Sequence, residues 1–221
     1  MIGIICALKV EIEAFLNVLE NKKEIKILNK LFYQGTISNK ECILTICGVG
    51  KVQAALSTQL MVEHFKPDLV FNCGIAGGFQ KDLKTLDTVF GEKIGCYDID
   101  MVMDNLPYGC FSEETRFLHS EFNCPDGCLK GTIMTADKFA GNRKELEDIF
   151  DKHYKEIDIT CVDMESYAVC TVLNEHNIPW VVIRTISDLV GENEQIKKYY
   201  EFPKLASEKS FQIIMNNYIL K

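Results

Sequence analysis

Short continuous apolar runs alternate with helical patterns along most of this chain, and that alternation restricts the folds open to it more than any other feature. Met1–Leu8 is such a run, and Lys9–Glu20 follows it with apolar residues at helical spacing. Leu31–Ile37 and Glu41–Cys47 flank Ser38-Asn39-Lys40, which predicts a hairpin. Gly48-Val49-Gly50-Lys51 opens a helix over Val52–Phe65, stopped by Pro67. Strands are expected over Asp68–Cys73, Asp87–Gly95, Leu129–Thr135, Ile157–Val162 and Trp180–Ile186, with helices over Asn142–Tyr154 and from the Asp163–Glu165 junction to His176. Met101–Cys128 reads as one long irregular loop. The order predicts an α/β fold with a central mixed, mostly parallel sheet between helices.

At 221 residues the chain is expected to form a single domain over 1–221. The formal charge of -8 argues against a nucleic-acid duplex or an anionic membrane as the main partner, since both are held by clustered Lys and Arg. Met1 leads straight into an apolar run with no basic segment before it, so no signal peptide is expected and the cytoplasm is the expected location. Most of the ten cysteines lie inside apolar patterns and read as small core residues of a reducing compartment. Cys124 and Cys128, in CPDGC, have no second Cys or His pair nearby, which makes a plain loop a better reading than zinc.

Acids gather where strands run into helices. Asp163 and Glu165 follow one strand, Glu11 follows another, and Asp188 follows a third. Such junctions lie outside the carboxyl ends of strands, where α/β sheets open their ligand crevices. Glu165 shares a helical face with Ala168, Val169 and Val172, so it either lines a pocket or pairs in the interior; capping the helix is the plainer alternative. Arg184 stands inside an apolar strand and requires a buried anionic partner or a polar cavity. Phe139, just past a strand, reads as core packing or as a stacking platform. The glycines of Gly48-Val49-Gly50-Lys51 lack the spacing of a P-loop, and those of Gly74-Ile75-Ala76-Gly77-Gly78 lack that of a dinucleotide fingerprint.

GIICALKVEIE, GVGKVQAA, FNCGIAGG, TADKF, VDMES and VVIRTISD follow one another in an order that resembles the 5'-methylthioadenosine/S-adenosylhomocysteine nucleosidases of the purine nucleoside phosphorylase superfamily. The resemblance implies a three-layer α/β/α sandwich, a homodimer, and hydrolysis of the N-glycosidic bond of adenine thionucleosides with no metal or organic cofactor. It implies that Asp188 protonates the adenine, that Glu11 activates water, that Glu165 holds the ribose hydroxyls, and that Arg184 positions water and acids. Met164 would pack on the sugar and Phe139 would stack on adenine, with Asp163, Ala140 and Ile75 also at the substrate and Ser187 supporting Asp188.

The chemistry asks for these residue types in its own right. Breaking a glycosidic C–N bond needs an acid facing the departing base and carboxylates facing the sugar, where positive charge develops. The chain departs from the family pattern at Ile75, where Ser is usual, at Asp163, where Glu is usual, and over Met101–Asn105 and Leu189–Glu192. Phosphorylase relatives carry Arg where this chain has Asn72, so water is the expected nucleophile. A phosphorylase, or a nucleoside-binding homologue with weak catalysis, are the alternatives.

Overall fold

The computed structural model describes residues 1–111 and 116–221, over which the apolar runs become strands. The strands are β1 (Ile2–Cys6), β2 (Glu20–Ile27), β3 (Lys30–Ile37), β4 (Lys40–Ile46), β5 (Leu69–Gly78), β6 (Thr88–Cys96), β7 (Phe117–His119), β8 (Leu129–Thr135), β9 (Ile159–Asp163) and β10 (Trp180–Leu189). The helices are α1 (Lys9–Val18), α2 (Lys51–Phe65), α3 (Arg143–His153), α4 (Ser166–Glu175), α5 (Gln195–Glu201) and α6 (Pro203–Ile214). All strands belong to one sheet, in the order β10-β6-β8-β9-β5-β1-β4-β3-β2, with β7 against β6.

Helices cover both faces of that sheet, which is why its central strands read as unbroken apolar runs. On β1 the neighbours Ile4 and Ile5 point to opposite sides and both are fully buried. Ile5 joins a core with Ala54 and Met61 of α2 and Val169 of α4. Ile4 joins a second core with Ile12 and Phe15 of α1 and Phe211 and Ile214 of α6.

The sheet is mixed as expected, but parallel pairing does not dominate. Among the described residues five pairings are parallel and five antiparallel. Three of the antiparallel pairings, β2–β3, β3–β4 and β6–β7, join neighbours outside the ring described next, and closure of that ring supplies the other two. β10 pairs with β5 as well as with β6, so β10, β6, β8, β9 and β5 form a ring, and that ring must join strands running in opposite senses at β9–β5 and at β6–β10.

Closure also lengthens two strands beyond their expected ends. β5 continues through the glycine run to Gly78 because Gly77 and Gly78 pair with Val162 and Cys161 of β9. β10 carries Ser187 and Asp188 within it, with an irregularity in register between Ile186 and Asp188. β2 was hidden in the sequence because ENKKEIKI is mostly exposed and alternates only at its end, through Ile25 and Ile27. The long loop holds a 3₁₀ turn (Val102–Asp104) and β7, and residues 112–115 of it lie outside the described residues.

Candidate active site

β5 and β9 cross antiparallel at their carboxyl ends, with Gly77 opposite Val162. That crossing brings the junction after β9 beside the junctions after β1 and along the end of β10. A pocket with about 580 Å³ of open space lies there, lined among others by Glu11, Glu165, Asp188, Phe139 and Met164. Of the residues singled out in the sequence, Ile75, Ala140, Asp163 and Ser187 also line it.

Glu11 stands in the first turn of α1 and is buried. Its Oε2 accepts the Leu8 N–H at 2.8 Å and its Oε1 accepts the Ile75 N–H at 2.9 Å. The approach to β5 depends on Gly74, where a Cβ would lie 2.5 Å from Oε1. Burial raises the Glu11 pKa, and the backbone N–H groups with Arg184 only partly offset it. Ile75 therefore serves Glu11 through its backbone, whatever its side chain does.

Glu165 follows the end of β9 and makes no side-chain cap on α4. Its Oε1 instead accepts the N–H of Gly50 at 2.9 Å, across from a different strand-to-helix turn. Gly50 has φ +94°, a conformation that suits glycine. Burial, then the charge of Asp163, pushes the Glu165 pKa up to about 7. The capping role falls to Asp163, which accepts the Ser166 N–H at 3.3 Å.

Arg184 does not line the pocket. It is 2% exposed and lies behind the wall. Its Nε and Nη2 donate to Asp163 Oδ2 at 2.9 and 2.8 Å, and Nη2 also donates to Asn72 Oδ1 at 2.7 Å. Asp163 Oδ1 accepts the Thr135 hydroxyl at 2.6 Å. Burial would lower the Arg184 pKa, but the charges of Asp163, Glu165 and Glu11 outweigh it and hold the guanidinium above its ordinary range. The buried cation and its partner are both as the apolar strand required. Arg184 reaches the pocket only through Asp163 and the field it sets up.

Asp188 is 2% exposed, with both carboxyl oxygens engaged. The Ser187 hydroxyl donates to Oδ2 at 2.6 Å and Gln195 Nε2 donates to Oδ1 at 2.8 Å. Burial raises its pKa, against the pull of those two donors. Phe139, 43% exposed, meets Tyr199 edge-on at 5.3 Å, so its ring belongs to the pocket wall rather than to the core.

Gln195 and Tyr199 carried no signal in the sequence, whereas the Gly48–Gly50 turn read as a tight strand-to-helix turn or a ligand contact, and its Gly50 N–H holds Glu165. Gln195 and Tyr199 lie in the polar segment ENEQIKKYY, where a pocket residue looks like any solvated one. All ten cysteines are free thiols, eight of them buried. Among the described residues no group of three or more His, Cys, Asp or Glu is placed to hold a metal ion, and no helix is long and apolar enough to cross a membrane.

The family model described as Phosphorylase superfamily matches residues 1–216. The 5'-methylthioadenosine/S-adenosylhomocysteine nucleosidase of Bacillus subtilis is 30% identical over 97% of this chain and 96% of its own length. That of Listeria monocytogenes is 31% identical over 97% of each. Among solved structures, the Streptococcus pneumoniae nucleosidase with the transition-state inhibitor MT-ImmA aligns with a TM-score of 0.88 at 27% identity, covering 97% of this chain and 96% of the other. The Neisseria meningitidis enzyme with methylthio-immucillin-A aligns with a TM-score of 0.87 at 27% identity, covering 96% of each.

Proposed function

This chain belongs to the phosphorylase superfamily and, within it, to the 5'-methylthioadenosine/S-adenosylhomocysteine nucleosidases, and on that premise we propose that one domain over 1–221 carries out the whole reaction at the pocket of Glu11, Glu165 and Asp188. It hydrolyses the N-glycosidic bond of adenine nucleosides such as 5'-methylthioadenosine and S-adenosylhomocysteine, releasing adenine and the 5-thio-ribose. The observation that carries the assignment of residues is the convergence of three buried carboxyl groups, from the junctions after β1 and β9 and from the end of β10, on one pocket with apolar and aromatic walls.

In this reading Asp188 is the acid. As the C1'–N9 bond breaks and its electron pair passes to the base, the Asp188 proton goes to N7, so adenine leaves neutral. Water attacks C1' and gives a proton to Glu11. Glu165 takes the ribose hydroxyls and, with Glu11, offsets the positive charge that develops on the sugar. Met164 packs on the sugar and Phe139 on the base. Asp163, held by Arg184, raises the pKa of Glu165 and keeps the floor of the site in place, while Ala140, Ile75 and Ser187 contribute from the backbone or through Asp188.

Asn72 supports water over phosphate as the nucleophile. Its Nδ2 donates to Ile5 O at 3.0 Å and its Oδ1 accepts from Arg184 and Ser166, so the carboxamide is spent inside the wall. The fold in this reading is the three-layer α/β/α sandwich with its sheet partly closed, acting in the cytoplasm as a homodimer. Support for the dimer comes from Val49, a pocket residue 48% exposed, and from Val52 and Leu56, which continue its apolar face along α2 at 73% and 41% exposure.

The test is adenine release from 5'-methylthioadenosine in phosphate-free buffer and with phosphate added. Release without phosphate is the expected result. Release only with phosphate would overturn hydrolysis.

A further inference from the structure

Gln195 closes a hydrogen-bond circuit around Asp188, and the direction of each of its own three bonds is fixed. Its Oε1 accepts the backbone N–H of Gly191 at 2.9 Å, and a backbone N–H can only donate. Its Nε2 donates to the backbone carbonyl of Ala140 at 2.8 Å, and a carbonyl can only accept. The carboxamide therefore has one permitted orientation, and its remaining N–H points at Asp188 Oδ1, 2.8 Å away. Gln195 is 5% exposed, so water does not compete freely for these bonds.

We propose that Gln195 is a positioning residue that decides which oxygen of Asp188 carries the proton. Because Oδ1 must accept from Gln195, a neutral Asp188 holds its hydrogen on Oδ2. The partner of Oδ2 is the Ser187 hydroxyl at 2.6 Å, and unlike the amide it works in either direction. With no base bound, a protonated Asp188 gives its Oδ2 hydrogen to Ser187 Oγ, which turns its own hydrogen toward Ala76 O, 3.4 Å away; with adenine bound, the Oδ2 hydrogen turns to N7. When the proton has left for the base, Ser187 swings back and donates to Oδ2, while Gln195 already donates to Oδ1. The new carboxylate is then met by a donor on each oxygen.

This role rests on the reading of Asp188 as the acid, and it has a signature of its own. Without Gln195 the ionised form loses one of its two donors, so Asp188 becomes a weaker acid. Weakening the acid moves the alkaline limb of the rate profile upward and lowers the plateau, whereas a purely structural role lowers the plateau and leaves the limb in place. The charged and titratable groups facing Asp188 are Glu192 on the connection after β10 and Lys198 and Tyr199 on α5, and none of them is altered by the test.

The experiment is a ¹³C carboxyl titration of Asp188 in the full chain, with the resonance assigned by its loss in Asp188→Asn, for the natural protein, Gln195→Met and Gln195→Ala. Circular dichroism verifies that each is folded. An Asp188 midpoint raised by about one pH unit in both variants is expected, the scale of one hydrogen bond to a charged group. An unmoved or lowered midpoint would overturn the proposal. The pH profile of 5'-methylthioadenosine hydrolysis should move its alkaline limb in step, with a severalfold lower plateau. The titration does not depend on turnover, so an inactive natural protein would defeat the functional reading while the midpoint still decides the role of Gln195.

Discussion

At the scale of single residues, charge and burial oppose each other in this site, and the opposition is measurable. Asp188→Asn keeps an acceptor for Gln195 and a group to pair with Ser187, so the fold should survive while hydrolysis falls by at least ~10²-fold, as for loss of a general acid. Adenine release and a melting curve check both halves. Glu165 ionises near pH 7 in the folded protein and near ~4.3 when unfolded, so the unfolded chain releases this proton first as pH rises. Its contribution to stability is therefore lost between those two values. Glu165→Gln should accordingly melt higher than the natural protein at pH 8 and no higher near pH ~4, while losing most of its activity. Equal melting at pH 8 would count against the buried, raised carboxyl. These acids were legible because a carboxylate at a strand junction is a physical oddity. Gln195 was not, because a polar residue in a polar stretch reveals its burial only in three dimensions.

At the scale of elements, two strands carry the site and each has one position that cannot be filled otherwise. Arg184 on β10 is neutralised by Asp163 at the end of β9, and removing one partner leaves a buried charge unpaired. Arg184→Met should cost about 3–5 kcal/mol in urea unfolding, and adding Asp163→Leu should restore a good part of it. Gly74 on β5 makes room for the Glu11 carboxyl, so Gly74→Ala should cost about 1–3 kcal/mol and reduce turnover, because the methyl and Oε1 cannot share the space. Normal activity in that variant would remove Glu11 from its place against β5. The apolar strand around Arg184 required a buried anionic partner or a polar cavity, without saying which, and the partner is Asp163. The expected end of β5 at the glycines failed for a nonlocal reason: those residues find partners on β9, and pairing across that sequence distance leaves no mark on either segment.

At the scale of the whole molecule, Val49 at the pocket leads into the exposed Val52 and Leu56 of α2, so in the proposed homodimer association and catalysis should be coupled. Val52→Glu is expected to shift sedimentation from dimer to monomer and to raise KM, with an unchanged sedimentation coefficient as the contrary result. The overall class was legible because alternation of strand and helix is a local pattern. Closure of the ring, and with it the antiparallel joins at β9–β5 and β6–β10, depends on β10 meeting both β5 and β6 and could not be read locally. The far end of the sheet has a different consequence. β2 ends the order of strands, and Lys22, Lys23, Glu24 and Lys26 crowd along it. Charged side chains of both signs on this open strand would have to give up water to pair with another edge, so the least apolar strand of the sheet disfavours edge-to-edge stacking of concentrated protein.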